Sequence, residues 1–254
     1  MTAPLKVWVE AEGRLLRLRL SRPKANLIDA AMISALDRAF AEHLDNPHLA
    51  AVLVDAEGPH FSFGASVEEH LPGQCEAMLK GLHGLLLRMV ESPVTILVAV
   101  RGQCLGGGLE LALAGHLLFV APDAALGQPE MKLGVFAPAA SCLLPELVGP
   151  GRAFDLLLSA RSISGADAVA MGMAQGAADP ERAALAYFEE HINLKSASSL
   201  RYAVKAARCD YAARVRAKIA VVERLYLDEL MATHDALEGL GAFLEKRTAR
   251  WQHR

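Results

Sequence analysis

Two apolar runs, AAVLVD at residues 50–55 and TILVAV at residues 95–100, constrain the fold of this chain most. Each has the length of a strand and lacks the polar–apolar alternation of a strand with one wet face. Such runs are typical of parallel strands that helices cover on both faces. A shorter run at residues 117–120 repeats the pattern. The alternation of these runs with helical segments predicts an α/β fold with right-handed crossovers.

The segments between the runs have helical periodicity. Residues 29–45 carry apolar side chains three and four positions apart, and Asp29 is available as the N-cap. Residues 75–90 form a second such segment, which ends shortly before Pro93. At the N-terminus, residues 7–10 and 15–20 are strand-like and flank Glu12-Gly13, which predicts a hairpin.

The last third of the chain changes character. From about residue 180 onward it is rich in Ala, Leu, Arg and Glu and contains no strand-like run. We therefore expect an α/β core in residues 1–190, carrying the functional site, and a helical region in residues 191–254. Two arrangements of this region stay open, because the helices can fold back over the core or cover a neighbouring subunit.

Composition excludes several classes of protein. The chain has 254 residues, of which 53% are hydrophobic and 22% charged, as in ordinary globular domains. Its 26 Lys and Arg against 29 Asp and Glu give a formal charge of -3, so a nucleic-acid partner is not expected. The four cysteines form no CxxC pair, which argues against a zinc site or a disulfide framework.

The N-terminal residues contain acidic side chains where a signal peptide has its apolar segment. The most apolar stretch, residues 109–122, is interrupted by Glu110 and His116 and is too short to cross a bilayer. We expect a cytoplasmic protein with no membrane partner.

A glycine cluster at residues 106–108 follows the strand at 95–100 and opens a helix that carries Glu110. Glycine lets a ligand approach the backbone, and free amides at a helix N-terminus favour developing negative charge. Glu110 would then lie beside the bound ligand. The cluster alone fits tight strand-to-helix packing equally well, and it is neither a GxGxxG motif nor a P-loop.

Two further segments have similar properties. Glu130 directly follows Pro129 in a turn, where side chains are often functional. Residues 60–66, HFSFGAS, follow the strand at 50–55 and bring small residues that leave a backbone N–H exposed to a ligand. Taken alone, the turn with Glu130 is typical of a solvated turn, and residues 60–66 are typical of a loop that leads into a helix. Their combination with the glycine cluster is what favours a site.

In combination, the segments resemble the crotonase (enoyl-CoA hydratase/isomerase) superfamily. Residues 99–134 contain a Gly-Gly-Gly-x-Glu helix start and a Gly-Gln-Pro-Glu turn, and residues 60–66 stand where the family has Phe-x-x-Gly-Ala-Asp. Residues 235–247 match the family's closing helix. The resemblance implies a crotonase (ClpP-like) fold of repeated ββα units with a C-terminal helical oligomerisation region. It also implies a homotrimer or a dimer of trimers.

The resemblance implies roles for particular residues. Glu110 and Glu130, twenty positions apart, correspond to the acid/base pair of the hydratases that use both glutamates. The backbone amides of Ala65 and Gly107 correspond to the oxyanion hole. Positions that match the family's CoA contacts, some of them made across a subunit boundary, are Lys24, Ala25, Phe243 and Lys246.

These groups suit the addition of water to an α,β-unsaturated thioester. Negative charge develops on the thioester oxygen, which two fixed amides stabilise. One carboxyl accepts a proton from water and another supplies a proton to carbon, since two neighbouring carboxyls do not both ionise readily. An acyl-CoA is the expected substrate, CoA being part of it, and we expect no metal ion and no redox cofactor.

Departures from the family pattern bear on the acyl group. Ser66 replaces the usual Asp, and Phe136 and Pro138 stand in a loop that is usually rich in glycine. A stiffer wall of the acyl pocket suits a ring better than a linear chain. The flanking sequences resemble family members that hydrate a cyclic dienoyl-CoA by 1,4-addition in anaerobic benzoyl-CoA degradation. An aliphatic enoyl-CoA hydratase or isomerase, and a crotonase-fold RNA-binding protein, stay open as alternatives.

Overall fold

A computed structural model describes residues 3–254, which form two sheets. The strands, in chain order, are β1 (Leu5–Glu10), β2 (Leu15–Leu20), β3 (Ala51–Ala56), β4 (Thr95–Val100), β5 (Gln103–Leu105), β6 (Leu117–Val120), β7 (Ala125–Gly127), β8 (Ser162–Ser164) and β9 (Gln175–Gly176). The larger sheet has the order β1-β2-β3-β4-β6-β9. β1 and β2 pair antiparallel, and every other neighbouring pair of this sheet is parallel. The predicted hairpin and parallel strands are confirmed.

Helices flank the larger sheet and continue to the C-terminus. They are α1 (Ala30–His43), α2 (Cys75–Val90), α3 (Gly107–Leu113), α4 (Pro138–Val148), α5 (Pro150–Ser159), α6 (Gly165–Ala170), α7 (Pro180–Tyr187), α8 (Ala197–Arg224) and α9 (His234–Leu244). The predicted N-cap of α1 is confirmed, because Asp29 Oδ1 accepts a hydrogen bond from the Met32 amide at 2.9 Å.

Burial of β3 on both faces explains its sequence. All six of its residues are buried. Val52 and Val54 pack into the main core cluster with α1 and α2, whereas Ala51 and Leu53 pack into a second cluster with α7 and the π-helical turn at Phe188–Asn193. A strand covered twice needs apolar residues at every position, which is why its pattern does not alternate.

The smaller sheet has the order β5-β7-β8 and was not predicted. Each of its strands has three residues, too short to produce a recognisable pattern. β5 runs parallel to β7, and its last residue, Leu105, leads directly into Gly106. This sheet therefore fixes the backbone from which α3 begins.

The helical C-terminal region packs on its own chain. On α8, Val215 and Ile219 are buried in the main core cluster, and Arg208 donates hydrogen bonds to the carbonyls of Val90 and Ala114 at 3.3 and 3.4 Å. This resolves the arrangement of α8, which folds back over the core. The division at residue 190 stays a prediction. Among the helices of residues 3–254, none is both long and apolar enough to span a lipid bilayer.

A buried ion cluster joins the sheet to α7. Arg17, 3% exposed, donates to Asp55, 1% exposed, with an Nη2–Oδ2 distance of 2.6 Å. Arg19 donates to the same carboxylate at 2.6 and 2.8 Å, and Glu181 of α7 accepts from Arg17 at 2.7 Å. Each charge in the cluster has a partner, which offsets the cost of its desolvation.

Candidate active site

A cavity of about 690 Å³ lies between the loop at residues 63–70, the start of α3, the 3₁₀ turn Pro129–Leu133 and α9. Both predicted acid/base residues line it. So do the residues predicted for the oxyanion hole and the acyl wall, together with one predicted CoA contact; these are Ala65, Gly107, Ser66, Phe136, Pro138 and Phe243. Segments far apart in the sequence therefore meet at one cavity.

Glu110 lies in the first turn of α3 and is only 4% exposed. Burial raises the pKa of its carboxyl. The Ala140 amide, at the start of α4, donates to Oε1 at 2.8 Å and opposes that rise because it favours the charged form. α4 begins at Pro138, so the segment that departs from the family loop also carries this donor.

Glu130 lies in the turn Pro129–Leu133, which Gly134 ends in a left-handed conformation with φ of 70°. Burial, and secondarily the charge of Glu110, raise the pKa of Glu130 to about 8. The amide of buried Gln128 ends 3.0 and 3.1 Å from its two carboxyl oxygens. That amide can donate its N–H to an ionised Glu130 or accept the proton of a neutral one, so it suits both states.

The backbones of Ala65 and Gly107 are close neighbours. A Cβ built on Gly107 would lie 3.2 Å from the Ala65 nitrogen. Neither amide donates a hydrogen bond to another atom of residues 3–254. Ser62 fixes the first loop, because its Oγ accepts from the Gly64 amide at 3.1 Å and donates to the Asn26 carbonyl at 2.8 Å. Two backbone amides without a hydrogen-bond acceptor in the described chain thus belong to separate segments that line one cavity.

Gly106 has a steric reason to be glycine. Its φ is 49°, and a Cβ there would lie 2.7 Å from Oε1 of Glu130. Its amide donates to the Gly127 carbonyl at 2.9 Å, which ties the start of α3 to β7. Gly106 therefore allows close approach of the segments that carry Glu110 and Glu130, in addition to any contact with a ligand.

Apolar side chains form the inner wall. Leu79 and Leu82 of α2, Val135 and Pro138 line it, together with Phe136. The Phe136 ring packs edge-on against Tyr226, with centroids 5.2 Å apart. Ser66 also lines the cavity, so a small hydroxyl stands where the family has a carboxylate.

Basic side chains lie among the exposed residues that line the cavity, and one of them, Arg247, is paired with Glu238 and Glu245. Phe243 lines the cavity and is 53% exposed, and Lys132 and Arg247 line it as well. The other three predicted CoA contacts lie outside the cavity wall; they are Lys24, Ala25 and Lys246. Lys24 and Lys246 are exposed, and the Ala25 carbonyl accepts a hydrogen bond from the amide of cavity-lining Phe63 at 2.9 Å.

Sequence reasoning missed Gln128, Lys132 and Arg247. Gln128 is part of the Gly-Gln-Pro-Glu motif that identified Glu130, and Lys132 follows that motif by two residues. Arg247 ends the matched C-terminal motif and sits beside Lys246, the residue that the motif position had favoured. Only the packing of the turn at the end of α9 against the cavity distinguishes these two neighbours.

The comparisons with known proteins agree with this geometry. The model of the family described as enoyl-CoA hydratase/isomerase matches residues 10–254. The chain belongs to the enoyl-CoA hydratase/isomerase family. It is 65% identical, over 100% of its length and 98% of the relative's, to the cyclohexa-1,5-dienecarbonyl-CoA hydratase of Thauera aromatica. It is 31% identical to a probable enoyl-CoA hydratase of Bacillus subtilis (strain 168), over 92% and 94% of the two chains.

Solved structures of the enoyl-CoA hydratase/isomerase family share the fold. The enoyl-CoA hydratase of Bacillus halodurans has a TM-score of 0.86 at 17% identity and covers 94% of this chain and 99% of its own. The enoyl-CoA hydratase/isomerase of Xanthobacter autotrophicus Py2 has a TM-score of 0.85 at 23% identity, with 99% of each chain covered. The expected crotonase fold is confirmed.

Proposed function

We propose that this chain is a hydro-lyase that hydrates cyclohexa-1,5-diene-1-carbonyl-CoA to 6-hydroxycyclohex-1-ene-1-carbonyl-CoA, in anaerobic degradation of benzoyl-CoA. The assignment of this substrate rests on the 65% identity to the Thauera aromatica hydratase over the whole chain. The convergence of two carboxyls and two free amides on one cavity supports the reaction type.

The reaction is a 1,4-addition of water. The water oxygen forms a bond to the ring carbon β to the thioester, and the water gives up a proton to a base. The π electrons move through the conjugated system onto the thioester oxygen, giving a dienolate. Collapse of this dienolate forms a C–H bond at the γ ring carbon, with the proton coming from an acid. The hydroxyl and the proton therefore end on opposite ends of the diene.

The amides of Ala65 and Gly107 would hold the thioester oxygen, each stabilising the dienolate-like transition state by about 3 kcal/mol. We assign Glu110 as the base, because the Ala140 N–H favours its ionised form. We assign Glu130 as the acid, because a pKa of about 8 keeps it protonated near neutral pH. Unequal surroundings give two chemically identical side chains opposite roles.

Other residues would recognise the substrate. Ser66, Phe136 and Pro138 would shape the wall around the ring. At the mouth of the cavity, the basic side chains of Lys132 and Arg247 would meet the anionic phosphates of the CoA portion. Phe243 would contact the CoA portion as well.

The proposed assembly is a homotrimer or a dimer of trimers in the cytoplasm. On α5, Phe154 and Leu158 are 58% and 70% exposed, and apolar side chains this exposed suit an interface between subunits. In such an assembly, Lys24, Ala25 and Lys246 would complete the CoA site. Light scattering coupled to size exclusion tests the subunit number, and a monomeric mass would contradict the assembly.

The function is tested by incubating the protein with the cyclic dienoyl-CoA and with crotonyl-CoA, with the products identified by mass spectrometry and NMR. We expect the hydroxycyclohexene product and at most slow hydration of crotonyl-CoA. A preference for crotonyl-CoA would instead identify an aliphatic hydratase. RNA binding without hydration of either thioester would place the chain outside the enzymes.

The roles of the glutamates are tested by Glu110→Gln and Glu130→Gln. Each should lower kcat by about 10²- to 10⁴-fold, the usual contribution of general acid–base catalysis. Glu76→Gln is the matched control, because Glu76 pairs only with exposed Lys80 on the surface of α2. Near-normal kcat in either active-site variant would remove that residue from the mechanism.

A further inference from the structure

The C-terminal tail, residues 248–254, returns along α9 instead of leaving the fold. α9 ends at Leu244, and Lys246 takes a left-handed conformation with φ of 55°, which reverses the direction of the chain. The Arg250 amide then donates to Oε1 of Glu238, on α9, at 2.8 Å. The tail therefore runs antiparallel to α9, towards the first turn of that helix.

Asp235, in the first turn of α9, holds the end of the tail. Its two carboxyl oxygens accept hydrogen bonds from the amides of Gln252 and His253, each at 2.7 Å. Its own amide donates to the Arg254 carbonyl at 3.3 Å. Hydrogen bonds from backbone amides to a carboxylate are stronger than those between neutral groups. Because the two amides directly follow Trp251 in the chain, they fix the position of its ring.

The Trp251 ring lies against two glycines from different segments. Gly134 ends the turn that carries Glu130, and Gly239 belongs to α9. A Cβ built on Gly134 would lie 3.0 Å from Cζ3 of the ring, and one built on Gly239 would lie 3.0 Å from Cη2. A Cβ on Gly239 would also lie 2.1 Å from the Leu133 carbonyl oxygen, so α9 and the turn are in direct contact. The ring covers this contact.

The backbone beneath the ring is hydrogen-bonded to the turn. The Gly134 amide donates to the Met131 carbonyl, and the Val135 amide donates to the Glu130 carbonyl, each at 3.3 Å. A displacement of Gly134 would therefore move the backbone of Glu130. Geometric errors of about 1 Å at a catalytic group are enough to lower a rate markedly.

We propose that Trp251 is a positioning residue, which holds Gly134 against α9 and so fixes the turn that carries Glu130. Asp235 serves the same purpose by holding the tail. Trp251 lies outside the cavity wall, whereas Ala249 of the same tail lines it. The inference rests on the proposed function, because it concerns the residue assigned as the acid. The position of Glu130 can nevertheless be examined without substrate.

The test without substrate is an infrared titration of Glu130. Its protonated carboxyl gives a carbonyl band, which is assigned by its loss in Glu130→Gln. In Trp251→Ala the loosened turn should admit water, and the band should titrate at a pH lower by about one unit or more. Glu110, whose charge acts on Glu130 from α3, is unchanged in this variant. Trp251→Phe should restore most of the wild-type titration, because a smaller ring keeps part of the contact.

A second variant acts on the tail and leaves the ring in place. Asp235→Asn should shift the band in the same direction, because an amide nitrogen replaces one of the two acceptor oxygens. If Asp235 acts through Trp251, the double variant should shift the band no further than Trp251→Ala alone. Tyr202→Ala is the matched control, because Tyr202 is an exposed aromatic residue on α8 that contacts the Lys205 ammonium. It should leave the Glu130 band unchanged.

Kinetics supply the second readout. Misplacement of the acid should lower kcat about 10- to 100-fold in Trp251→Ala, with KM nearly unchanged. A rise in KM alone would make the tail only a part of the cavity wall and would overturn the proposal. An unshifted band in folded Trp251→Ala also overturns it, as does an unshifted band in Asp235→Asn should the first variant not fold. A shifted band in a protein that does not hydrate the diene refutes the proposed function and leaves the positioning of Glu130 by Trp251 intact.

Discussion

The protonated state of Glu130 has a cost that unfolding experiments can measure. Its pKa rises from an ordinary value of 4.5 to about 8 in the folded chain. Between these two pH values the folded protein binds a proton that the unfolded chain has lost. Stability from this group must therefore fall as pH rises from about 4.5 to about 8, and stay at its lower value above that.

The size of the effect follows from the width of this interval. At about 1.4 kcal/mol per pH unit, the interval from 4.5 to about 8 gives an upper limit of about 5 kcal/mol. Glu130 is partly accessible from the cavity, which lets water relieve some of this cost. Between pH 5 and pH 9, the stability of Glu130→Gln should rise relative to that of the wild type by about 2 to 4 kcal/mol, because only the part of the interval above pH 5 is sampled.

The assay is urea denaturation of both proteins at several pH values from 5 to 9. Glu146→Gln is the control, because Arg214 and Lys218 lower the pKa of Glu146 to about 2. The stabilisation that this carboxylate contributes is fully present above its ordinary pKa and is lost as pH falls through about 2. The free energy of unfolding of this variant should therefore change with pH from 5 to 9 as that of the wild type does, in a parallel curve, because the Glu130 effect is unchanged. Parallel curves for Glu130→Gln would refute the argument that burial keeps Glu130 protonated.

Three further perturbations test the packing. Gly106→Ala should lower kcat at least about 100-fold in a folded protein, because the new Cβ would lie 2.7 Å from Oε1 of Glu130. Gly151→Ala is the control and should keep wild-type kcat, because no atom lies within 4 Å of a Cβ at that position. Asp55→Asn should lower the free energy of unfolding by about 3 to 5 kcal/mol in urea titration, because buried guanidinium groups lose their charged partner. Asp29→Ala should cost about 1 kcal/mol in the same titration, the usual value of an N-cap, and no loss would argue that the cap is replaced by water.

Those parts of the fold that bury two faces could be predicted from the sequence. β3 and β4 were predicted because every position of each strand is buried, which leaves an uninterrupted apolar run. β5, β7 and β8 could not, since three residues carry no periodicity. The path of α8 could not be predicted either, because its few buried residues are equally compatible with packing on its own core and on a neighbouring subunit.

The same distinction applies to the site. Glu110 and Glu130 belong to local motifs with a fixed spacing, so the sequence identified both. Ala140, whose amide donates to Glu110, is 30 positions away along the chain and lies beside it because α4 packs against α3. No local pattern marks a residue whose partner is a tertiary neighbour. The roles of Lys24 and Lys246 stay predictions, since neither lines the cavity of the single chain.

The proposed mechanism requires two glutamates that share a cavity to differ in charge, and their surroundings favour such a difference. Glu110 is buried and Glu130 is partly buried, so desolvation raises the pKa of each. Around Glu110, an amide of α4 opposes the rise, whereas the charge of Glu110 itself increases the rise at Glu130. Ionisation of the first carboxyl therefore helps to keep the second protonated, and in the proposed mechanism this one electrostatic arrangement would provide both the base and the acid.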